Sequence, residues 1–366
     1  MTKARLLAQL GNAYDDGALS NRNMIINGAM KVAQRGTSTT GVNSSGYHTV
    51  DRFSYTEGSG ASGTVTMSQE DDAPEGFAKS VKFEVTGAST LSGSENVLLR
   101  TRLEGQDLQQ LKYGTSNAQA ITLSFWAKSS LTGTYTSAFT SRNTTDGSTL
   151  RYYKGYTINV ANTWEYKTLT IPAQTTNTID SDNSQGVDLE WMLDSGPDDI
   201  VSPSTAWDNS GIFAAVTGQV NFMATSGATW QITGVQLEVG DTATPFEHRS
   251  YADELTKCQR YLYRINGNST DQTMIGMGYF YGTTTTRHIV HYPVVMRSSP
   301  SVSANGLDAL RDTGNDSAVT LASTLDESIY SCGLNIGDVL ATSVGEGAIL
   351  RLASLTSAYI SFDAEL

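Results

Sequence analysis

Aromatic side chains are the residues of this sequence best suited to ligand chemistry, because an exposed ring can stack on the face of a sugar. Trp126 falls on the polar side of an alternating run, and Trp207 lies in a turn beside Asp208 and Asn209. Indole supplies an apolar face, while neighbouring amide and carboxylate groups can hydrogen-bond to hydroxyls. These four residues are the candidate carbohydrate-binding residues. Packing of both indoles into the second layer of a sandwich is the alternative.

Histidines and acidic turns give weaker signals for metal binding. His288 and His291 are three residues apart in a predicted strand, so they point to opposite faces and do not bind one ion. The acidic turn at 180–183 offers oxygen ligands of the kind that hold Ca²⁺, but it lacks the glycine and closing glutamate of an EF-hand loop. We therefore expect no metal and no cofactor, with a structural Ca²⁺ ion left as the alternative.

Catalytic and nucleotide-binding motifs are equally weak. The segment from Gly58 to Gly63 formally matches G-x-G-x-x-G, a motif that binds pyrophosphate only where a helix follows. Here a β-prone run follows at Thr64, which predicts a flexible loop. The sequence has no G-x-S-x-G motif and no diagnostic Ser/His/Asp spacing, so it assigns no catalytic residue.

Charge and composition narrow the class of protein. The 366 residues include 37 acidic and 24 basic side chains, a net charge of −13, which argues against nucleic acid as a partner. The same charge makes a phosphate-rich glycan an awkward ligand, unless locally basic patches such as Arg100 and Arg102 bind it. No apolar run reaches the ~20 residues that span a bilayer, so no membrane insertion is expected. Only 17% of residues are charged, which favours a surface-exposed β-protein.

Period-two alternation predicts an all-β fold over most of the chain. Val81, Phe83 and Val85 share one face of a run whose other face is polar, and the run at 120–128 alternates in the same way. Many short strands broken by turns predict a jelly-roll β-sandwich. Further strands are predicted at 156–160, 164–171, 189–193, 220–224, 230–239, 287–296 and 358–366, with a bulge at Gly234.

Helical spacing occurs in two places. Leu6, Leu7 and Leu10 predict a short helix that serves as an attachment or assembly segment, with a frayed terminus as the alternative. Apolar residues from Tyr251 to Ile265 predict a linking helix. The predicted parts are the N-terminal segment (1–22), the jelly-roll β-sandwich (23–248), the linking α-helix (249–266) and a smaller C-terminal β-domain (267–366).

Several motifs, in order along the chain, resemble bacteriophage tail-fibre and related virion appendage proteins of the marine and cyanobacterial phage type. The matching segments are Asn23-Met-Ile-Ile-Asn-Gly28, Gln34-Arg-Gly36, Asp51-Arg-Phe53, 103–108, 122–128, 133–135, 163–171, 233–240, 243–251 and Cys258-Gln-Arg-Tyr261. The segments from 233 onward are the most specific. Together the matches cover 23–264, and the rest of the chain matches only loosely.

The resemblance implies a sandwich similar to carbohydrate-binding modules, carried on a homotrimeric virion appendage. Its implied partners are other copies of the chain, other phage tail proteins and host-surface glycans, and its implied location is the virion tail, after synthesis in the bacterial cytoplasm. It implies no catalytic residues. The alternative function is a carbohydrate-binding module or depolymerase that acts on extracellular polysaccharide.

Overall fold

The computed structural model describes residues 21–209, 215–311, 316–337 and 344–366. The described chain is almost entirely β-structure, as the sequence predicts, and divides into two units, Met1–Tyr251 and Ala252–Leu366. The predicted attachment residues Leu6, Leu7 and Leu10 lie outside the described residues.

The first unit is a sandwich of two antiparallel sheets. Its strands are β1 (Ser38–Val42), β2 (Ser54–Gly58), β3 (Thr64–Glu70), β4 (Ser80–Gly87), β5 (Asn96–Glu104), β6 (Ile121–Ser129), β7 (Gly133–Arg142), β8 (Thr149–Ile158), β9 (Glu165–Ile171), β10 (Gln185–Ser195), β11 (Ile200–Val201), β12 (Ala215–Val216) and β13 (Thr229–Val239). Sheet A has the order β1-β3-β4-β13-β6-β9, and sheet B has the order β2-β5-β10-β7-β8. Strands β11 and β12 form a small parallel pair.

Alternating apolar residues from both sheets meet in one hydrophobic core. Val81, Phe83 and Val85 of β4 are buried there, as the alternation predicts, and so are Trp191 and Trp230. Burial of a large apolar side chain contributes about 1.5–3 kcal/mol, so this core holds the two sheets together. The outward positions of the same strands carry polar and aromatic residues that are free to form a site.

Helix α1 (Tyr251–Gln259) begins at the last residue of the first unit, and the rest of it belongs to the second unit. The second unit then continues as β-structure. Its strands are β14 (Leu262–Asn266), β15 (Thr273–Phe280), β16 (Thr286–His291), β17 (Ser301–Asn305), β18 (Leu307–Arg311), β19 (Asp316–Leu325), β20 (Ser331–Gly337), β21 (Gly347–Leu352) and β22 (Tyr359–Asp363). Six of them close into a barrel in the order β15-β16-β20-β19-β18-β21, and the others form a sheet, β14-β22-β17. In the described part of the chain, no helix has the length and hydropathy needed to cross a membrane.

The structure corrects three predicted elements, of which the strand expected over 287–296 is shorter and ends at His291. The linking helix expected over 249–266 ends at Gln259, and Leu262–Asn266 is strand β14, paired with β22. Cys258 and Leu262 fit both a helical and an extended pattern, and the backbone bonds to β22 decide for the strand. The strand expected at 220–224 is instead irregular and ends in a turn, where the carboxylate of Asp194 accepts a hydrogen bond from the backbone of Met223 (2.7 Å).

Candidate functional site

A group of aromatic side chains lies on the outer face of sheet A, and we call Phe77, Trp126, Tyr166, Phe246 and His248 the aromatic row. Trp126 occupies an outward position of β6, directly opposite Tyr166 of β9, and their ring centroids are 5.3 Å apart. Phe77 lies 5.0 Å from Phe246 and 5.3 Å from His248, measured between ring centroids. Strand pairing thus brings rings from separate segments of the chain to one surface.

Gly234, in a bulge of β13, lies between the rings of Phe77 and Trp126. The register of β13 against β6 shifts between Thr233 and Gln236, and Gly234 has a φ of +63°, so the predicted bulge is confirmed. A Cβ atom at Gly234 would lie 2.7 Å from the ring of Phe77 and 3.1 Å from the ring of Trp126. Only glycine adopts this conformation easily and leaves room for both rings.

A charged group borders the aromatic row on the same face. Lys128, two residues after Trp126, forms an ion pair with Asp72 and lies 5.3 Å from the ring centroid of Trp164. The indole N–H of Trp164 donates to the same Asp72 carboxylate at 3.1 Å. Burial raises the pKa of Asp72, but hydrogen bonds from Lys128 and Trp164 outweigh it and hold that pKa below its usual value. Asp72 therefore stays ionised and paired at neutral pH.

Two buried polar atoms belong to outward positions of β13, beside the aromatic row. Thr233 is opposite Trp126, and Gln231 is opposite Lys128. Among the described residues, neither Thr233 Oγ1 nor Gln231 Oε1 has a hydrogen-bond partner. Buried polar atoms are normally paired with protein or water, so these two atoms are positions for an ordered water beneath the aromatic row.

The structure does not bring Trp207 to the aromatic row. Its ring packs 5.9 Å from Tyr113 and 5.7 Å from Tyr152, measured between centroids, and its N–H donates to the carbonyl of Pro172 at 2.8 Å. Asp208 pairs with Arg151 through their backbones, and both Asp208 and Asn209 are exposed. The candidate carbohydrate-binding residues therefore belong to two separate places.

A surface pocket adjoins Trp207 through Tyr113. It has a volume of about 400 Å³ and is lined by Leu108, Gln109, Lys112, Tyr113, Thr115, Asn117, Thr178 and Ile179. Burial raises the pKa of Tyr113, whose hydroxyl has no hydrogen-bond partner among the described residues. One side of the pocket is formed by a 3₁₀ helix, Gly105–Leu111, for which the sequence carries no clear signal.

Outward positions of sheet B carry a cluster of buried charges. Arg100 Nε donates to Glu190 at 2.7 Å, and Asp188 pairs with Arg142 at 2.9 Å. Burial raises the pKa of Glu190, while the neighbouring Arg100 lowers it, and the balance leaves it above its usual value. Arg100 is not part of an exposed basic patch, because it is buried and paired. The alternation of charges along β5 and β10 is the sequence signal that could have identified this cluster.

The remaining motifs are structural features of the described chain. The carboxylate of Asp180 accepts hydrogen bonds from the backbone of Thr144 (2.8 Å) and Thr145 (3.0 Å), which holds one acidic turn in place. His288 is buried and His291 is exposed, on opposite faces of β16, as their spacing predicts. No group of three potential metal ligands occurs among the described residues. The glycine-rich segment connects β2 and β3 as a loop.

Comparison with known proteins adds only distant likenesses. No protein-family model and no curated protein matches the chain. Similar solved structures include the enzymatically active domain of tailspike protein 4 from bacteriophage CBA120 (TM-score 0.33, 14% identity), over 60% of this chain but only 21% of that one. Another is a xylan-binding domain from Paenibacillus barcinonensis (TM-score 0.28, 9% identity), over 52% of this chain and 87% of that one. A third is a family 11 carbohydrate-binding module from Clostridium thermocellum in complex with a mixed-linked tetrasaccharide (TM-score 0.29, 11% identity), over 57% of this chain and 98% of that one. At these TM-scores, the argument for function depends on the chain's own residues.

Proposed function

We propose that this chain is a structural protein of a bacteriophage tail that binds host-surface glycan through the aromatic row. The observation that carries the glycan part is the convergence of Trp126, Tyr166 and Phe77 on one outer face of sheet A. Tyr166 is 47% exposed, and Trp126 and Phe77 are partly exposed. Sugar rings present C–H faces that pack on such rings, and the nearby polar groups can pair with sugar hydroxyls.

The glycan contact is assigned to Trp126 and not to Trp207. Trp207 packs against Tyr113 and Tyr152, and its N–H is already paired with the carbonyl of Pro172, so its role is to hold Tyr113 in place. Trp126 has its ring partner, Tyr166, in the same outward layer. A sugar stacked on these two rings replaces water on their exposed faces.

The virion part of the proposal is supported by the tail-fibre-like motifs. As a tail fibre or adaptor component, the chain would form homotrimers and contact other tail proteins, with the segment containing Leu6, Leu7 and Leu10 serving attachment. Three tethered copies multiply weak single-site binding, because the second and third sites bind at a high effective concentration. A mass measurement on the purified chain and labelling of the chain in phage particles test this part. A chain absent from particles would contradict it.

The test of the glycan site compares two tryptophans. Wild type, Trp126→Ala, Tyr166→Ala and Trp207→Ala are measured on glycan arrays and by calorimetry on the ligands found. We expect at least a tenfold loss of affinity for Trp126→Ala and Tyr166→Ala, equal to about 1.4 kcal/mol, and little change for Trp207→Ala. Circular dichroism checks that the variants are folded. Unchanged binding by folded Trp126→Ala and Tyr166→Ala would remove the aromatic row from the proposal.

The alternative, a depolymerase, requires a carboxylate pair that substrate can reach. Asp188 and Glu190 lie on one face of β10, but they are buried and paired with arginines. Paired, buried carboxylates favour a structural role for this cluster. Release of reducing ends from host polysaccharides by the purified chain would favour the depolymerase.

A further inference from the structure

The hairpin of β15 and β16 in the C-terminal barrel carries exposed apolar side chains on its outer face. In the order β16-β15-β21, Tyr279 is opposite Arg287 of β16, and Met277 is opposite Ile349 of β21. The inward positions Phe280 and Thr286 are buried, so Met277, Tyr279 and Ile289, at alternate positions, point away from the barrel core. The register of β15 shifts between Met274 and Gly276, and Met274, beyond that shift, is exposed as well. We call Met274, Met277, Tyr279, Tyr281 and Ile289 the barrel patch.

The barrel patch is unusually exposed for large apolar side chains. Met277 is 73% exposed, Ile289 64%, Met274 61%, Tyr281 54% and Tyr279 47%. At about 200 Å² for each large side chain, these fractions amount to roughly 600 Å² of exposed surface. This equals the largest patches found on ordinary monomers and approaches the roughly 800 Å² that each partner contributes to a standard interface.

The charges around the barrel patch suit contact with a second copy of the chain. The outward positions of the three strands carry no carboxylate, although the chain has a net charge of −13. The guanidinium of Arg287 stacks over the ring of Tyr281 at 3.4 Å, which covers the cation. Two copies can therefore approach through this face without bringing acidic groups together.

Closure of the barrel determines how such a contact forms. A closed barrel has no free strand edge, so a partner cannot add a strand to it and must pack on side chains. We propose that the barrel patch is the surface through which copies of this chain associate. This inference rests on the proposed self-association, and it names the residues that would form the contact.

Sedimentation velocity on the full chain tests the inference at several concentrations. We expect an oligomeric mass for wild type and a single-chain mass for the double variant Met277→Lys/Ile289→Lys. The control is Val160→Lys, which places one lysine at an exposed apolar residue of the first unit (56% exposed) and should leave the oligomer intact. Circular dichroism monitors folding, and Ile289→Thr, which keeps a β-branched side chain, replaces the double variant if that protein is unfolded. Ile289→Thr should raise the dissociation constant of the oligomer at least tenfold.

Each outcome separates this inference from the proposed function. A folded double variant, or Ile289→Thr, that associates like wild type would overturn the barrel patch but leave self-association standing. A wild-type chain that remains single at every concentration would overturn both. Glycan binding per site is measured separately, and it should be the same in wild type and the double variant, because the aromatic row belongs to the other unit.

Discussion

Acidification is expected to destabilise the C-terminal unit through His288. This side chain lies inside the barrel, 1% exposed, with Nε2 3.0 Å from the hydroxyl of Thr286. Burial lowers the pKa of His288 to about 4, whereas an unfolded chain has a histidine pKa of about 6.5. The imidazole is therefore neutral in the folded unit at every pH above about 4.

The sign and size of the effect follow from proton linkage. Between pH 6.5 and 4 the unfolded chain binds a proton that the folded chain does not, so protonation favours unfolding. The stability contributed by the neutral ring is fully present above pH 6.5 and is lost as the pH falls. Relative to pH 8, the contribution of His288 to the free energy of unfolding should drop by about 2 kcal/mol at pH 5 and about 3 kcal/mol at pH 4.

Hydrogen exchange of the barrel amides measures this loss. Tryptophan fluorescence does not, because Trp126, Trp164, Trp191, Trp207 and Trp230 all belong to the first unit. The comparison is between wild type and His288→Gln, which cannot gain the proton, with the exposed His291→Gln as the matched control. The difference in stability between wild type and His288→Gln should change by about 2 kcal/mol between pH 8 and pH 5. An unchanged difference, or a loss of pH dependence in His291→Gln, would refute the reasoning.

Two further predictions concern the first unit, and tryptophan fluorescence during denaturant unfolding measures both. Gly234→Ala should cost about 3 kcal/mol, because the left-handed backbone and the contact with Phe77 both oppose a Cβ. Gly227→Ala has a similar φ of +75° and open space, so it should cost only about 1 kcal/mol; equal losses would contradict the role of the rings. Arg100→Ala should cost about 4 kcal/mol by removing the guanidinium that donates to buried Glu190, while Arg100→Met/Glu190→Leu should recover much of that loss. A double variant as unstable as the single one would contradict this account.

Alternation predicted the strands of the sandwich because each of them buries one face. Val81 and Phe83 are both fully buried, so the face of β4 that contains them must point into the core, and the alternation around them predicts the strand. The extent of the helix could not be predicted, since Leu262 fits both periods and its pairing partner lies in β22, about a hundred residues away. Single-sequence patterns do not contain such distant pairings.

The aromatic row was only half predictable for the same reason. Trp126 could be placed on a polar face from its own strand, but Tyr166 becomes its neighbour only through the register of β9 against β6. Phe77 reaches the row from a loop, where no periodicity applies. The polar turn that contains Trp207, Asp208 and Asn209 indicates an exposed indole, but packing against Tyr113 and Tyr152 keeps Trp207 away from Trp126.

The placement of the basic residues also bears on which glycans suit the aromatic row. Lys128, beside the row, is already paired with Asp72, whereas Arg100 and Arg142 belong to sheet B and are paired there. A phosphorylated or sulfated sugar that recruited Lys128 would break its pair with Asp72 and leave that carboxylate uncompensated, in a chain that is already strongly acidic. Stacking on Trp126 and Tyr166 needs no charge on the ligand. The aromatic row therefore suits a neutral glycan better than an anionic one.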